Sequence, residues 1–280
     1  MSIHKQLLLA TLATLTLVSC QTIGYRADHA SSGAQPTDNT LTDAEKEDGW
    51  KLMFDGKSVE GWKWIQGWDK DRAGMEPITK EQLGAILNVD GEEGTTLRPF
   101  RFGGYLIVYE KLLENFVIQL DFQLNKTDGD YSCNSGIFFR IYPLILQENP
   151  HAKKGDRPYY DVAFNGIEVA IDQTPGTGYT DTGALYDLAR PLKQVVRPNG
   201  QWNHLVLTNH ENLITITLNG ELVNVVDFDR FKEGGKKPNG HGHKFGPQKI
   251  YRNHPHMGYF GIQDHGCPVR FKNIKLLELD

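Results

Sequence analysis

The chain has 280 residues, 23% of them charged and 39% hydrophobic, with a formal charge of −5. That balance excludes wholesale disorder. It also supplies no basic field for phosphate backbones, so nucleic acid is excluded as a partner.

The N-terminus reads as an address. Lys5 precedes an apolar run, residues 7–18, too short to anchor as a spanning helix and of the length of a secretory leader. The run ends in Leu17-Val18-Ser19-Cys20, which resembles the lipobox of bacterial lipoproteins. The resemblance implies removal of residues 1–19 and lipidation of Cys20. With Gln21 next, it implies an envelope protein held by lipid at the outer membrane. Residues 20–47 are expected to be a tether rich in small and polar residues, with the folded domain spanning residues 48–280. The remaining cysteines, Cys133 and Cys267, show no CxxC or zinc spacing. Whether they pair is open at this stage, since pairing depends on how closely their backbones approach.

From residue 50 the chain reads as short strands. Trp50, Leu52 and Phe54 alternate with Lys51, Met53 and Asp55, and Asp55-Gly56 supplies a turn ahead of Trp62 and Trp64. Residues 66–82 give no assignable pattern, and residues 105–110 read as a strand. In residues 116–124, Phe116, Ile118, Leu120, Phe122 and Leu124 share one face, with Gln119, Asp121 and Gln123 behind, which predicts a half-exposed strand. In the segment 134–141, Ser135, Ile137, Phe139 and Ile141 are expected on one face, with Asn134, Gly136, Phe138 and Arg140 on the other. In residues 166–172, Ile167, Val169 and Ile171 point to the core and Glu168, Ala170 and Asp172 to the front. Residues 202–208 form a further strand. Asn219-Gly220 between 214–218 and 222–226 predicts a tight hairpin, because both residues tolerate positive φ. A helical turn is expected at 229–233, and residues 259–265 and 269–279 close the chain as strands. Turn signals every 8 to 15 residues without helical periodicity point to an all-β sandwich or jelly roll of two curved antiparallel sheets.

The expected site is the concave front of one sheet, gathering Arg140, Glu168 and Asp172, with a buried structural ion pair as the competing account. The two carboxylates lie about 13 Å apart between Cα atoms on a flat strand, so they flank a ligand rather than touch. In Gln263-Asp264-His265, regular alternation puts Gln263 and His265 on the front and Asp264 behind it. His265 is the preferred proton carrier because an unperturbed imidazole titrates near neutrality. His241-Gly242-His243 and His254-Pro255-His256 are weighed as transition-metal ligands against solvated loops.

Eight blocks in order resemble a known family: LMFDGKSVEGWKW (52–64), GGYLIVYEKLLENFVIQLDFQL (103–124), NSGIFFR (134–140), GIEVAID (166–172), TGALYDL (182–188), GQWNHLVL (200–207), LNGELV (218–223) and GIQDHGCPVRFKNIKLLEL (261–279). The chain resembles the bacterial 3-keto-disaccharide hydrolase domain, a concanavalin A-like jelly roll. The segments at 144–161 and before Tyr259 depart from that pattern. The resemblance implies an enzyme acting on glycosides already oxidised at C3 by a separate sugar oxidoreductase. Cleavage then needs a base at C2, a stabiliser for the enolate and an acid for the leaving group. Glu168, His265, Arg140 and Asp172 are the candidate catalytic residues, and Asn134, Gln263 and Tyr186 the candidate substrate contacts. A divalent cation bridging Glu168 or Asp172 to the sugar would also stabilise the enolate. Two other readings are a conventional glycosidase of the same fold and a noncatalytic carbohydrate-binding module stacking sugars on Trp62, Trp64, Trp68 and Tyr186. The first needs acids at alternate strand positions, and Ala170 interrupts that pattern.

Overall fold

The computed structural model describes residues 37–66, 75–77, 79, 81, 87–88, 96–99, 105–125, 133–141, 166–173 and 178–280. The leader, Cys20 and Trp68 lie outside them, as does the side chain of Trp64. Among the described residues no helix is long and apolar enough to cross a membrane.

Among the described residues fourteen strands make two antiparallel sheets. The larger holds β1 (Lys51–Leu52), β4 (Leu87–Asn88), β5 (Thr96–Leu97), β7 (Phe116–Gln123), β10 (Trp202–His210), β11 (Leu213–Leu218), β12 (Glu221–Asp227) and β14 (Arg270–Glu278). Its main order is β12-β11-β10-β7-β14-β5-β4, with β1 paired to β14. The smaller, in the order β3-β2-β6-β13-β8-β9, holds β2 (Trp62–Gln66), β3 (Met75–Pro77), β6 (Tyr105–Leu113), β8 (Asn134–Ile141), β9 (Ile167–Asp172) and β13 (Gly258–Asp264). The expected all-β jelly-roll sandwich is what the chain forms.

The inner faces meet in one apolar cluster. Phe116, Leu120, Phe122, Leu205, Leu207 and Ile216 come from the larger sheet; Ile107, Ile137, Phe139, Val169, Phe260 and Ile262 come from the smaller. Each such side chain stabilises the fold by about 1.5–3 kcal/mol on burial. Trp62 joins this core and its indole N–H donates to the Met53 carbonyl at 2.8 Å. It is therefore not an exposed sugar platform. The hairpin forms as expected, with Asn219 and Gly220 at φ 53° and 84° and Leu218 facing Glu221.

The outer face of β7 is covered rather than half exposed. Residues 37–47, expected to be tether, pack on it and include a short helix, α1 (Asp43–Glu47), with a capping box between Thr42 and Glu45. Glu45 accepts from Lys275 Nζ at 2.6 Å and from Gln119 Nε2 at 3.1 Å. Asp38 accepts from Lys272 Nζ at 2.7 Å. Asp121 is held below the usual carboxylate range despite its burial, by hydrogen bonds from His204 and Asn273. The domain thus begins before Asp48, because these polar pairs tie the preceding segment to the larger sheet.

The second departure fixes the site. Opposite β13, the partners of Tyr259 and Gly261 are Ile141 and Phe138, so two steps on β13 match three on β8. That extra residue is a β-bulge, and Arg140 within it has φ 52°. A side chain on Gly258 would come within 2.5–2.7 Å of the Arg140 and Ile141 backbone, so only glycine admits this bulge at its present geometry. Past the bulge the alternation shifts: Ile141 joins Phe138 on the outer face, and Arg140 turns inward.

Candidate functional site

The register of β8 against β9 pairs Asn134 with Asp172, Gly136 with Ala170 and Phe138 with Glu168. Directly opposed residues share a face, so Asn134, Asp172 and Glu168 share the outer face of the smaller sheet. Gln263 joins them, because its neighbour Ile262 is a core residue paired with Ile137. Glu168 is 9% exposed and leans over Gly136: a Cβ there would lie 2.5 Å from Oε1 and 2.9 Å from Cγ. Gly136 is thus the floor on which the carboxylate rests. Leu106, Val108, Phe138 and Ile141 form a buried apolar group on this face. The Gln263 side-chain oxygen has no hydrogen-bond partner among the described residues.

The segment after residue 178 borders β9. Tyr186 N–H donates to the Glu168 carbonyl at 2.9 Å and Ala170 N–H to the Ala184 carbonyl at 3.0 Å. Val169 bridges Leu185 antiparallel, which sets Tyr186 opposite Glu168. Thr182 Oγ1 accepts from Asp172 N–H at 3.0 Å, fixing the end of that strand.

Arg140 does not belong to this group. Its guanidinium is inside the sandwich, 1% exposed; Nε donates to Asn209 Oδ1 at 2.8 Å and Nη2 to the Glu211 carbonyl. It lies over the Phe228 ring at 5.9 Å, and burial lowers its pKa to about 10, so it is still a cation at neutral pH. The expected Arg140–Glu168 meeting is corrected by the bulge, which turns the guanidinium to the core side. Arg140→Ala should therefore lower the melting temperature by about 3–8 °C through lost charge-assisted hydrogen bonds. At a temperature where both proteins are folded, kcat should change less than threefold, roughly; a selective collapse of kcat would return Arg140 to the site.

His265 lies past the end of β13 and is exposed, so the expected regular alternation stops one residue short of it. The Cys133–Cys267 disulfide, with 5.2 Å between Cα atoms, ties its loop to the start of β8 beside Asn134. Asp264 is buried and accepts from Gly266 N–H at 2.8 Å, the structural role expected of it.

The histidine pairs are drawn into separate contacts. His254 stacks on Tyr251 at 6.0 Å and its Nε2 meets the Arg140 carbonyl at 3.1 Å, while His256 Nε2 meets Asn212 Oδ1 at 3.0 Å. His243 packs edge-on to Tyr251 at 5.3 Å. Among the described residues no three His, Cys, Asp or Glu side chains group as metal ligands. Burial, with Lys249 nearby, holds His254 well below the ordinary imidazole range, and burial lowers His243 too. The unfolded chain therefore takes up protons below about pH 6.5 that the folded chain refuses, so stability falls as pH drops through that point. The melting temperature should decline from pH 7.5 to 5, above the range where the lowered carboxylates titrate. In His254→Gln that decline should be shallower, and an equal slope would contradict this account.

Sequence reasoning missed Gly136, although its place between Asn134 and Phe138 on the carboxylate-bearing face was the available signal. It also missed the loop contacts of Asp187, Lys237 and Lys244, which no local periodicity announces.

The chain is a two-sheet β sandwich with amides and carboxylates on one outer face. Residues 49–277 match the 3-keto-alpha-glucoside-1,2-lyase-like domain, and the chain belongs to that family. A 3-keto-disaccharide hydrolase of Bacteroides thetaiotaomicron is 25% identical over 250 residues, covering 83% of this chain and 79% of that protein. Two crystal structures of candidate glycosyl hydrolases from Parabacteroides distasonis share the fold. One has TM-score 0.59 at 22% identity, covering 87% of this chain and all of that one. The other has TM-score 0.51 at 22% identity, covering 78% of this chain and all of that one.

Proposed function

We propose that this chain is a glycoside-acting enzyme that cleaves the glycosidic bond of 3-keto-glycosides or 3-keto-disaccharides by elimination. The ketone at C3 acidifies the C2 proton. Glu168 removes it, the electron pair moves into the C2–C3 bond as the C3 oxygen becomes an enolate, and the C1–O bond then breaks. Asn134 and Gln263 supply amide donors for the sugar oxygens, Asp172 binds its hydroxyls, and His265 delivers a proton to the departing oxygen. Water adding to the resulting double bond gives the free keto sugar. The observation that carries this reading is the Glu168 carboxylate seated over Gly136 on a face shared with Asn134 and Asp172.

A conventional glycosidase is less well supported. Its carboxyl groups stand about 5–9.5 Å apart, whereas Glu168 and Asp172 are separated by four positions of one strand with Ala170 between them. A separate oxidoreductase must supply the C3 ketone. Lipidation at Cys20 would hold the enzyme in the cell envelope, on the outer membrane.

The test supplies purified protein with a native disaccharide and its 3-keto counterpart. Turnover of the oxidised sugar alone supports the proposal. Turnover of the native sugar, or binding without turnover, overturns it.

A further inference from the structure

Beyond β9 the chain builds a concave feature that the proposed chemistry does not use. Residues 232–249 carry five lysines against one glutamate, in a chain whose formal charge is −5. The segment folds back on itself: Lys236 bridges Gly242, His243 N–H donates to the Gly235 carbonyl at 2.9 Å, and Gly235 N–H to the Lys249 carbonyl at 3.0 Å. This borders an open surface hollow of about 400 Å³ lined by glycine backbone, Lys236, His243 and Lys244.

Its charges are unevenly satisfied. Lys236 is paired with Glu233 at 2.6 Å. Asp187 is fully engaged: Lys237 Nζ donates to its carboxylate at 2.9 Å and its carbonyl at 2.8 Å, and Lys244 N–H to the other carboxylate oxygen at 2.7 Å. The Lys244 ammonium has no carboxylate partner among the described residues and stands 3.8 Å above the Tyr186 ring. That cation, on a hollow with a second lysine in its wall, calls for an oxyanion.

We propose that this cavity is the subsite for the aglycone and that it selects aglycones carrying an anionic group, a carboxylate or a sulfate, through Lys244. The placement follows from contact: Lys244 lines the cavity and covers Tyr186, whose backbone pairs with Glu168. A sugar over Glu168 therefore directs its aglycone past Tyr186 into the lysine-rich loop. The inference rests on the proposed function for the identity of the bond that is cut, but the anion preference can be read without catalysis.

Two arms test it. In calorimetry the wild type should bind glucuronate at least about tenfold more tightly than glucose; Lys244→Gln should abolish that preference and Lys244→Arg should keep it. In turnover, the 3-keto-glucosides of 4-hydroxybenzoate and of its methyl ester are compared. Lys244→Gln should lower the acid-to-ester ratio of kcat/KM by about tenfold. Equal binding of glucuronate and glucose by the wild type, or a ratio unmoved by Lys244→Gln, overturns the anion subsite. If no 3-keto-glucoside is turned over, the proposed function and the aglycone assignment fail together, while the calorimetric arm still decides the anion preference of the cavity.

Discussion

Glu168→Gln should lower turnover of a 3-keto-glycoside by about 10²- to 10⁴-fold, the loss expected when a positioned base is removed. The two side chains are isosteric, so the melting temperature should hold within a few degrees, roughly. The seat of the carboxylate gives a finer test. A methyl group at Gly136 would overlap Oε1 at 2.5 Å and Cγ at 2.9 Å, and a displacement of about 1 Å can cost about 10²-fold in rate. Gly136→Ala should therefore lose activity through Glu168 and not on its own account. In a Glu168→Asp background, where the shorter side chain leaves the floor, adding Gly136→Ala should cost much less than it does in the wild type. Additive losses in that cycle would separate Gly136 from the carboxylate and remove the support it lends.

What could be read in the sequence, and what could not, divides by the range of the forces concerned. The core face of β7, the carboxylate face of β9 and the Asn219-Gly220 hairpin all follow from period-two alternation or local turn chemistry, which a single segment contains. The bulge at Arg140 does not. It arises from matching three residues of β8 to two of β13, more than a hundred positions later, with Gly258 making the room. One extra residue sent Arg140 to the core side, while Asn134, upstream of the bulge, kept its expected face. The covering of Gln119 by Glu45 is likewise long-range, since a polar strand face looks solvated until another segment brings its own partners. His243 and His254 read as ligands or solvent because nothing in a glycine-rich stretch shows that Tyr251 and Arg140 will receive them.

Removing the Cys133–Cys267 bridge, as Cys133→Ser with Cys267→Ser, should have the largest effect on stability. The cysteines are 134 positions apart, and for a loop on the order of 100 residues the chain-entropy account puts the loss near 4.7 kcal/mol, with native removals commonly costing about 2–5 kcal/mol. For a domain of this size that is a fall in melting temperature of about 5–15 °C, measurable by comparing the variant with the wild type in oxidising and reducing buffer. The bridge also has a local role. It closes the end of the smaller sheet where Asn134 faces Asp172, and Ser135 Oγ donates to the Gln263 carbonyl at 2.8 Å one step further in. Cutting it frees the Asn134 end and the His265 loop while the Glu168 end of β9 stays clamped by Tyr186 and Ala184. Well below its melting temperature the double variant should therefore show a raised KM, with kcat reduced less than in Glu168→Gln. A variant that melts early yet keeps its KM would mean that the bridge stabilises the sandwich without shaping the sugar-binding end of the site.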